Sequence, residues 1–383
     1  MLRSFGLILG SLLLASICAS ALPSPTVDCD AGQSLNSTLA KMSKFSPATV
    51  TVKGICTEFV LVQGFDGLTL NGLPGATLQQ PATNPQSNSY VLSIRASKSV
   101  TVSGLTVRSD SSIFSSIGIS GGSTNIRLQD VSTDGSWGIV VSEACQVWLV
   151  RVNVNLAFGF AGISAFDKSD VHIVDGLLHR PSNGNFVAGI LAGSGHVTMQ
   201  GMTIRDMQQS ININGNGSVD LVNFDPSAAD TDVIIDNPAG TNFNGAIVSD
   251  GSSLNLGTKL RISNAGQPWG GDTGGVFVNN GSTLSAGPNL IISSSQGQGV
   301  IVSNDSHAQL AGSSISGVAH GGLVAVNLST IGVDFTNPLT NVSGNGVDLF
   351  CDSRSQIAGA LNITNVTIVN CNNLLPGTYE ALP

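Results

Sequence analysis

GIVVSEACQV (138–147), GISAFDKSDV (162–171), GAIVSDGSSL (245–254) and GVFVNNGSTL (275–284) are four copies of one cassette. Each reads Gly, apolar, any, apolar, a polar pair, a small residue, any, apolar. Looser copies start at Gly118, Gly189, Ser210, Gly299, Gly322 and Gly346. From Gly138 to Gly346 the starts are 24, 27, 21, 35, 30, 24, 23 and 24 residues apart. A repeat of this length marks a solenoid, in which each unit buries its apolar face against the next.

A second pattern follows each cassette: alternating apolar residues, a small or polar break, then alternation again. Val100 to Val107, Val171 to Leu177 and Val197 to Ile204 show it. Period-two alternation predicts half-buried strands, and Gly or Asp at the break predicts a tight turn. One repeat therefore holds three short strands, and the fold class is all-β, a parallel β-helix of about 10–12 coils. The segment 35–44 (LNSTLAKMSK) has the spacing of a short amphipathic helix. Within a proposed N-terminal cap, residues 22–48, it would cover one exposed sheet end. The coils run over 49–371, and the tail, 372–383, would cover the other end.

These rungs resemble those of the right-handed parallel β-helix proteins, the pectin-lyase-like superfamily. The likeness spans Thr49 to Cys371. It implies a right-handed, single-stranded coil and says little of activity, because one fold hosts many functions.

Residues 1–21 read as a secretory signal: Arg3 supplies charge, Phe5 to Ala19 is apolar, and Ala19-Ser20-Ala21 is a small-residue cleavage site. The apolar run is shorter than a membrane-spanning helix. Cleavage removes Arg3 and no acid, leaving 24 acids against 14 basic residues and a net charge of −10. That surface disfavours nucleic acid and anionic lipid as partners. It also disfavours acidic polysaccharide unless Ca²⁺ bridges the charges, and no calcium motif is present. The expected location is extracellular, or periplasmic in a Gram-negative host. In an oxidising compartment Cys29 with Cys56, and Cys351 with Cys371, would staple the two ends, with other connectivities open. Cys145 shares its cassette slot with Ser169, Ser252, Ser282 and Ser329, which predicts a buried, inert thiol. Sequons at Asn36, Asn216, Asn280, Asn304, Asn327, Asn341, Asn362 and Asn365 match chance in a chain this rich in Asn, Ser and Thr.

In lyases and galacturonases of the superfamily, chemistry sits on the outward residues of one sheet. The Gly-led strand is the best match to that sheet. Residues two after the leading position are expected to face outward: Ser120, Val140, Ser164, Leu191, Asn212, Ile247, Phe277, Ile301, Val324 and Asp348. They are mostly apolar. The galacturonase signatures, metal-ligand spacings, phosphate loops and serine-hydrolase elbows are absent.

Extra residues enter over 178–188, 224–244 and 263–274. Placed before neighbouring Gly-led strands, these insertions would pile into a wall where functional residues concentrate. His179, Arg180, Asp206 and Asp225 are the catalytic candidates, since a lyase needs a base and cations and a hydrolase needs two spaced carboxylates. Arg205, Asp230, Asp232, Trp269 and Asp272 are the substrate-binding candidates, with Trp269 able to stack on a sugar ring. Solvated loop polarity is the bland account of all nine. The favoured reading is a secreted, non-catalytic scaffold interacting with extracellular or cell-surface carbohydrate. The alternatives are a divergent polysaccharide lyase or glycoside hydrolase working from the wall, and a structural or adhesive oligomer built through the apolar stripe.

Overall fold

The computed structural model describes residues 24–83, 89–135, 137–157, 159–180, 187–226, 228–237, 244–267, 273–333, 339–359 and 369–371. The chain winds into a parallel β-helix of about a dozen coils. Each strand pairs in parallel with its counterpart one coil away. The Gly-led strands form a 13-stranded sheet from Val60–Gln63 to Val369–Cys371. The second and third strands of each coil form a 23-stranded sheet. Its two halves fuse where Gln146–Leu156, Asp170–His179 and His196–Arg205 run through the corner unbroken. The small or polar break is that corner: Gly104, Asp130, Arg151, Asp175 and Gly201 all take positive φ there.

The leading glycine has a steric cause. Ladder pairing joins Trp137 to Ser115 and Ile139 to Ile117, and skips Gly138. The backbone bulges, so two successive positions face the core. A Cβ on Gly138 would press on the Gly162 carbonyl oxygen and stand 2.5 Å from Val154 Cγ1 on the third strand. The same third-strand position crowds Gly162 (Leu178), Gly189 (Ile204), Gly245 (Ile262), Gly275 (Ile292), Gly299 (Ile315) and Gly322 (Val342). Glycine thus lets the Gly-led strand close onto the third strand and fill the core without a void.

This register corrects two outward assignments. Gly118 pairs with Val140, so Ser116 leads that coil and Ser120 sits opposite Arg95. Val347 pairs with Gly321 and Leu349 with Leu323, so Asp348 fills a leading position. It is fully buried and accepts from Asn345 Nδ2 at 2.9 Å. Phe350 is the outward residue of that coil.

A buried hydroxyl ladder explains the small cassette slot. The N–H of Ser97 donates to Ser123 Oγ, that of Ser123 to Cys145 Sγ at 3.1 Å, and that of Cys145 to Ser169 Oγ at 3.1 Å. The series resumes through Ser252, Ser282, Ser306, Ser329 and Ser355. Each turn leaves an inward N–H, and the next rung's side chain satisfies it. The same pattern writes sequons at Asn280, Asn304 and Asn327: Asn suits the positive-φ turn, and the ladder serine follows two residues on. Burial pushes the Cys145 thiol up, as expected of an inert cysteine. Cys145→Ser should leave the melting midpoint nearly unchanged. Cys145→Val should cost about 1–3 kcal/mol by stranding the Ser123 N–H, read by thermal and urea unfolding; equal stability of the two variants would refute the ladder's role.

At the N-terminal end, Thr26–Asp28 pairs with Ala48–Lys53, and the helix Leu35–Leu39 buries both its leucines. Glu58 holds that helix start, accepting from the N–H groups of Leu35 and Asn36 and from Ser34 Oγ. Both expected disulfides are present, Cys29–Cys56 and Cys351–Cys371. No helix among the described residues is long and apolar enough to cross a membrane.

Candidate functional site

The described parts of the three insertions do not all lie at one corner. The 178–188 and 263–274 stretches precede Gly-led strands, as expected. The 224–244 stretch is divided by the strand Val233–Asp236. Most of its extra length, 222–232, opens the corner between second and third strands. It folds back over the outer face of the second strands. Gln200, itself buried, accepts from the N–H groups of Phe224 and Asp225 and donates to Asn223 Oδ1 and the Asp225 carbonyl. Ala229 N–H donates to Asp175 two coils away. Val150 and Val174, in register with Gln200 in the two preceding coils, are buried, and Phe224 of this strap meets Trp148 and His172.

Its acids are committed to structure. Asp230 Oδ1 accepts from its neighbours' N–H groups at Thr231 and Asp232. Asp232 holds Arg261 at 2.7 Å. Asp225 sits at the strap's anchor on Gln200. The structure therefore separates the strap acids from His179, Arg180, Arg205 and Asp206 by placing them at a different corner. Trp269 and Asp272 lie outside the described residues.

His179 and Asp206 do come together, with His179 Nε2 3.5 Å from Asp206 Oδ2. They belong to a polar ladder at the ends of the third strands. Arg108, Asp134, Asn155, His179, Arg205 and Asp236 occupy one register position in successive coils. Arg108 reaches Asp134 at 4.0 Å, and Asn155 Nδ2 donates to Asp134 Oδ1 at 3.2 Å. Asp236 is engaged by Ser263 and Asn264. Arg180, next to His179, is only 6% exposed. Burial pulls its guanidinium below the usual value, and among the described residues no carboxylate pairs with it.

A feature the sequence reading missed lies across the same corner. Tyr90 and Trp137 begin, and Phe114 and Phe160 immediately precede, four successive strands of the 13-stranded sheet. Their ring centroids stand 6.2, 4.4 and 5.4 Å apart in that order. Phe114 and Phe160 are exposed, at 45% and 40%. Burial, and then the Glu143 charge, pushes the Tyr90 phenol above its ordinary value. The row ends in a shallow cleft lined by Phe59, Leu61, Tyr90, Ser93 and Arg95. The signal was available: an aromatic stands one or two positions before the leading residue in each of these coils.

Part of the apolar stripe is already covered within the chain. Val140, Leu191, Ile301 and Val324 are each at most 6% exposed within the single chain. Leu191 clusters with Ala161 and Ala188 under Trp137 and Phe166.

Fold and corner together define a parallel β-helix protein with an aromatic row facing a polar ladder across one edge. No family model, no curated protein and no solved structure matches the chain.

Proposed function

We propose that the chain is a secreted, non-catalytic β-helix scaffold that binds extracellular or cell-surface carbohydrate along this edge. The observation that carries the reading is the pairing of the two rows. Arg108, Asp134 and Asn155 lie at the ends of the third strands of three coils, and Phe114, Trp137 and Phe160 stand at or just before the start of the strands that follow. Sugars bind where apolar ring edges lie beside hydrogen-bonding side chains, because each pyranose carries apolar C–H patches beside hydroxyls. The dispersal of the acidic candidates supports binding without cleavage. The two disulfides and the signal-like N-terminus support an extracellular location.

A second reading, a divergent lyase or hydrolase, is supported by the His179–Asp206 pair at 3.5 Å. Among the described residues the neighbouring carboxylate, Asp236, is already engaged by Ser263 and Asn264, whereas a hydrolase uses two carboxylates for chemistry.

The test is binding to an immobilised glycan panel by the intact chain and by Trp137→Ala and Phe114→Ser. Each variant should weaken binding by about tenfold or more, since losing one ring contact is worth about 1–3 kcal/mol by analogy with base stacking. Melting should move little. Unchanged binding in both variants would place the ligand elsewhere.

A further inference from the structure

We propose that Asp170, His172 and His196 form a binding site for a transition-metal dication of the zinc type, on the outer face of the second strands. The linear sequence hides it, because His196 is one coil away from Asp170 and His172. Strand register places the three at neighbouring positions on one face. Asp170 and His172 sit at alternate positions of one strand, so both face outward. His196 lies directly opposite Asp170 on the next strand, and Thr198 lies opposite His172. Ser218 and Asp220 take the same two positions one coil further on.

Adjacent strands are about 4.8 Å apart, and alternate residues on a strand about 6.6 Å. Two ligands on one strand and a third facing them on its neighbour can therefore converge on one ion at the 2.0–2.2 Å bond lengths typical of zinc. Two imidazoles and one carboxylate favour zinc, copper, nickel or iron over calcium and magnesium, which prefer all-oxygen shells.

Three details support the site. Asp170 Oδ2 lies 3.1 Å from His172 Nε2, while Asp170 Oδ1 is buried and accepts no hydrogen bond among the described residues. A buried carboxylate oxygen left unsatisfied calls for an ion or a water. His172 is set in place by Trp148, with ring centroids 4.4 Å apart, and by Phe224 of the strap. His196 has one outer partner of the kind that orients a ligating histidine, Ser218 Oγ 2.7 Å from Nδ1, which leaves Nε2, now 3.7 Å from Asp220 Oδ2, to face an ion. Asp220 is fixed in turn by Asn255 Nδ2 at 2.7 Å.

In the present side-chain positions each imidazole faces its own oxygen partners. Closing the site requires His196 to turn toward Asp170, giving up the contacts of Nε2 with Thr198 Oγ1 at 3.2 Å and with Asp220 Oδ2 at 3.7 Å. That ring is 38% exposed, so the turn meets little packing.

The test uses the full chain without an affinity tag, stripped with chelator and titrated calorimetrically with ZnCl₂, CaCl₂ and MgCl₂. The expected result is one Zn²⁺ per chain, with no heat from Ca²⁺ or Mg²⁺. His196→Ala and Asp170→Asn should each weaken Zn²⁺ binding by at least about 10–100-fold, with far-ultraviolet dichroism and melting of the metal-free proteins unchanged. His307→Ala removes a histidine at the register position of His196 several coils away, and should bind like the parent. The proposal is overturned if the parent takes up no Zn²⁺, or if His196→Ala and Asp170→Asn bind as tightly as His307→Ala does. A variant whose dichroism changes would be replaced by His196→Gln, judged by the same two results.

Discussion

Gly138→Val should lower stability by about 3 kcal/mol or more, and expression of the variant should yield mostly insoluble chain. The new side chain would meet the Gly162 carbonyl and the Val154 methyl at once. Neither can retreat. The carbonyl lies in the next strand of the sheet, and Val154 is fully buried within the long strand Gln146–Leu156. The right comparison is Gly281→Ala, where a Cβ would meet nothing within 4 Å but φ is +69°. That change should cost only about 1–2 kcal/mol, the penalty of left-handed backbone. Thermal unfolding of both variants, followed by dichroism, tests the steric account of the cassette. Equal losses would mean that turn conformation, and not contact with the third strand, selects the leading glycine.

Removing the N-terminal disulfide as Cys29→Ser/Cys56→Ser should have the next largest effect. The bridge closes a 27-residue separation, for which chain entropy alone suggests about 3–3.5 kcal/mol. A solenoid unfolds by neighbouring units, so the loss should appear first as fraying of the end coil. Hydrogen exchange should rise in Thr26–Asp28, Leu35–Leu39 and Ala48–Lys53 while the central coils keep their protection. Uniform deprotection along the whole chain would instead show a single cooperative unit.

Much of the fold was legible because a solenoid repeats its constraints. Gly138, Gly162, Gly245 and Gly275 each meet the same third-strand aliphatic, so the cassette survives variation elsewhere. The slot shared by Cys145 and Ser169 was readable for the same reason: one turn geometry demands one kind of acceptor. The reading slipped where a coil departs from the rule. Ser116 and Asp348 occupy leading positions without glycine, and each is tied down by a hydrogen bond that sequence spacing does not reveal, to Ser109 and to Asn345. The 224–244 insertion was assigned to one corner because the strand Val233–Asp236 is only four residues long and sits inside it. Candidate site residues were harder still. His179 and Asp206 meet because they end neighbouring coils, whereas Asp225, Asp230 and Asp232 belong to a strap whose direction is set by Gln200 and Asp175. Aromatic residues before the leading position escaped notice because their spacing follows the coil length, not a short motif.

The most direct test of the carbohydrate-binding account is to incubate the purified chain with a broad polysaccharide panel, with and without Ca²⁺. Retention of glycan and formation of new reducing ends or unsaturated uronates would be followed in the same samples. The account predicts retention of at least one glycan, weakened by Trp137→Ala, with no new ends. New ends that disappear in Asp206→Asn would contradict it and identify the His179–Asp206 pair as catalytic.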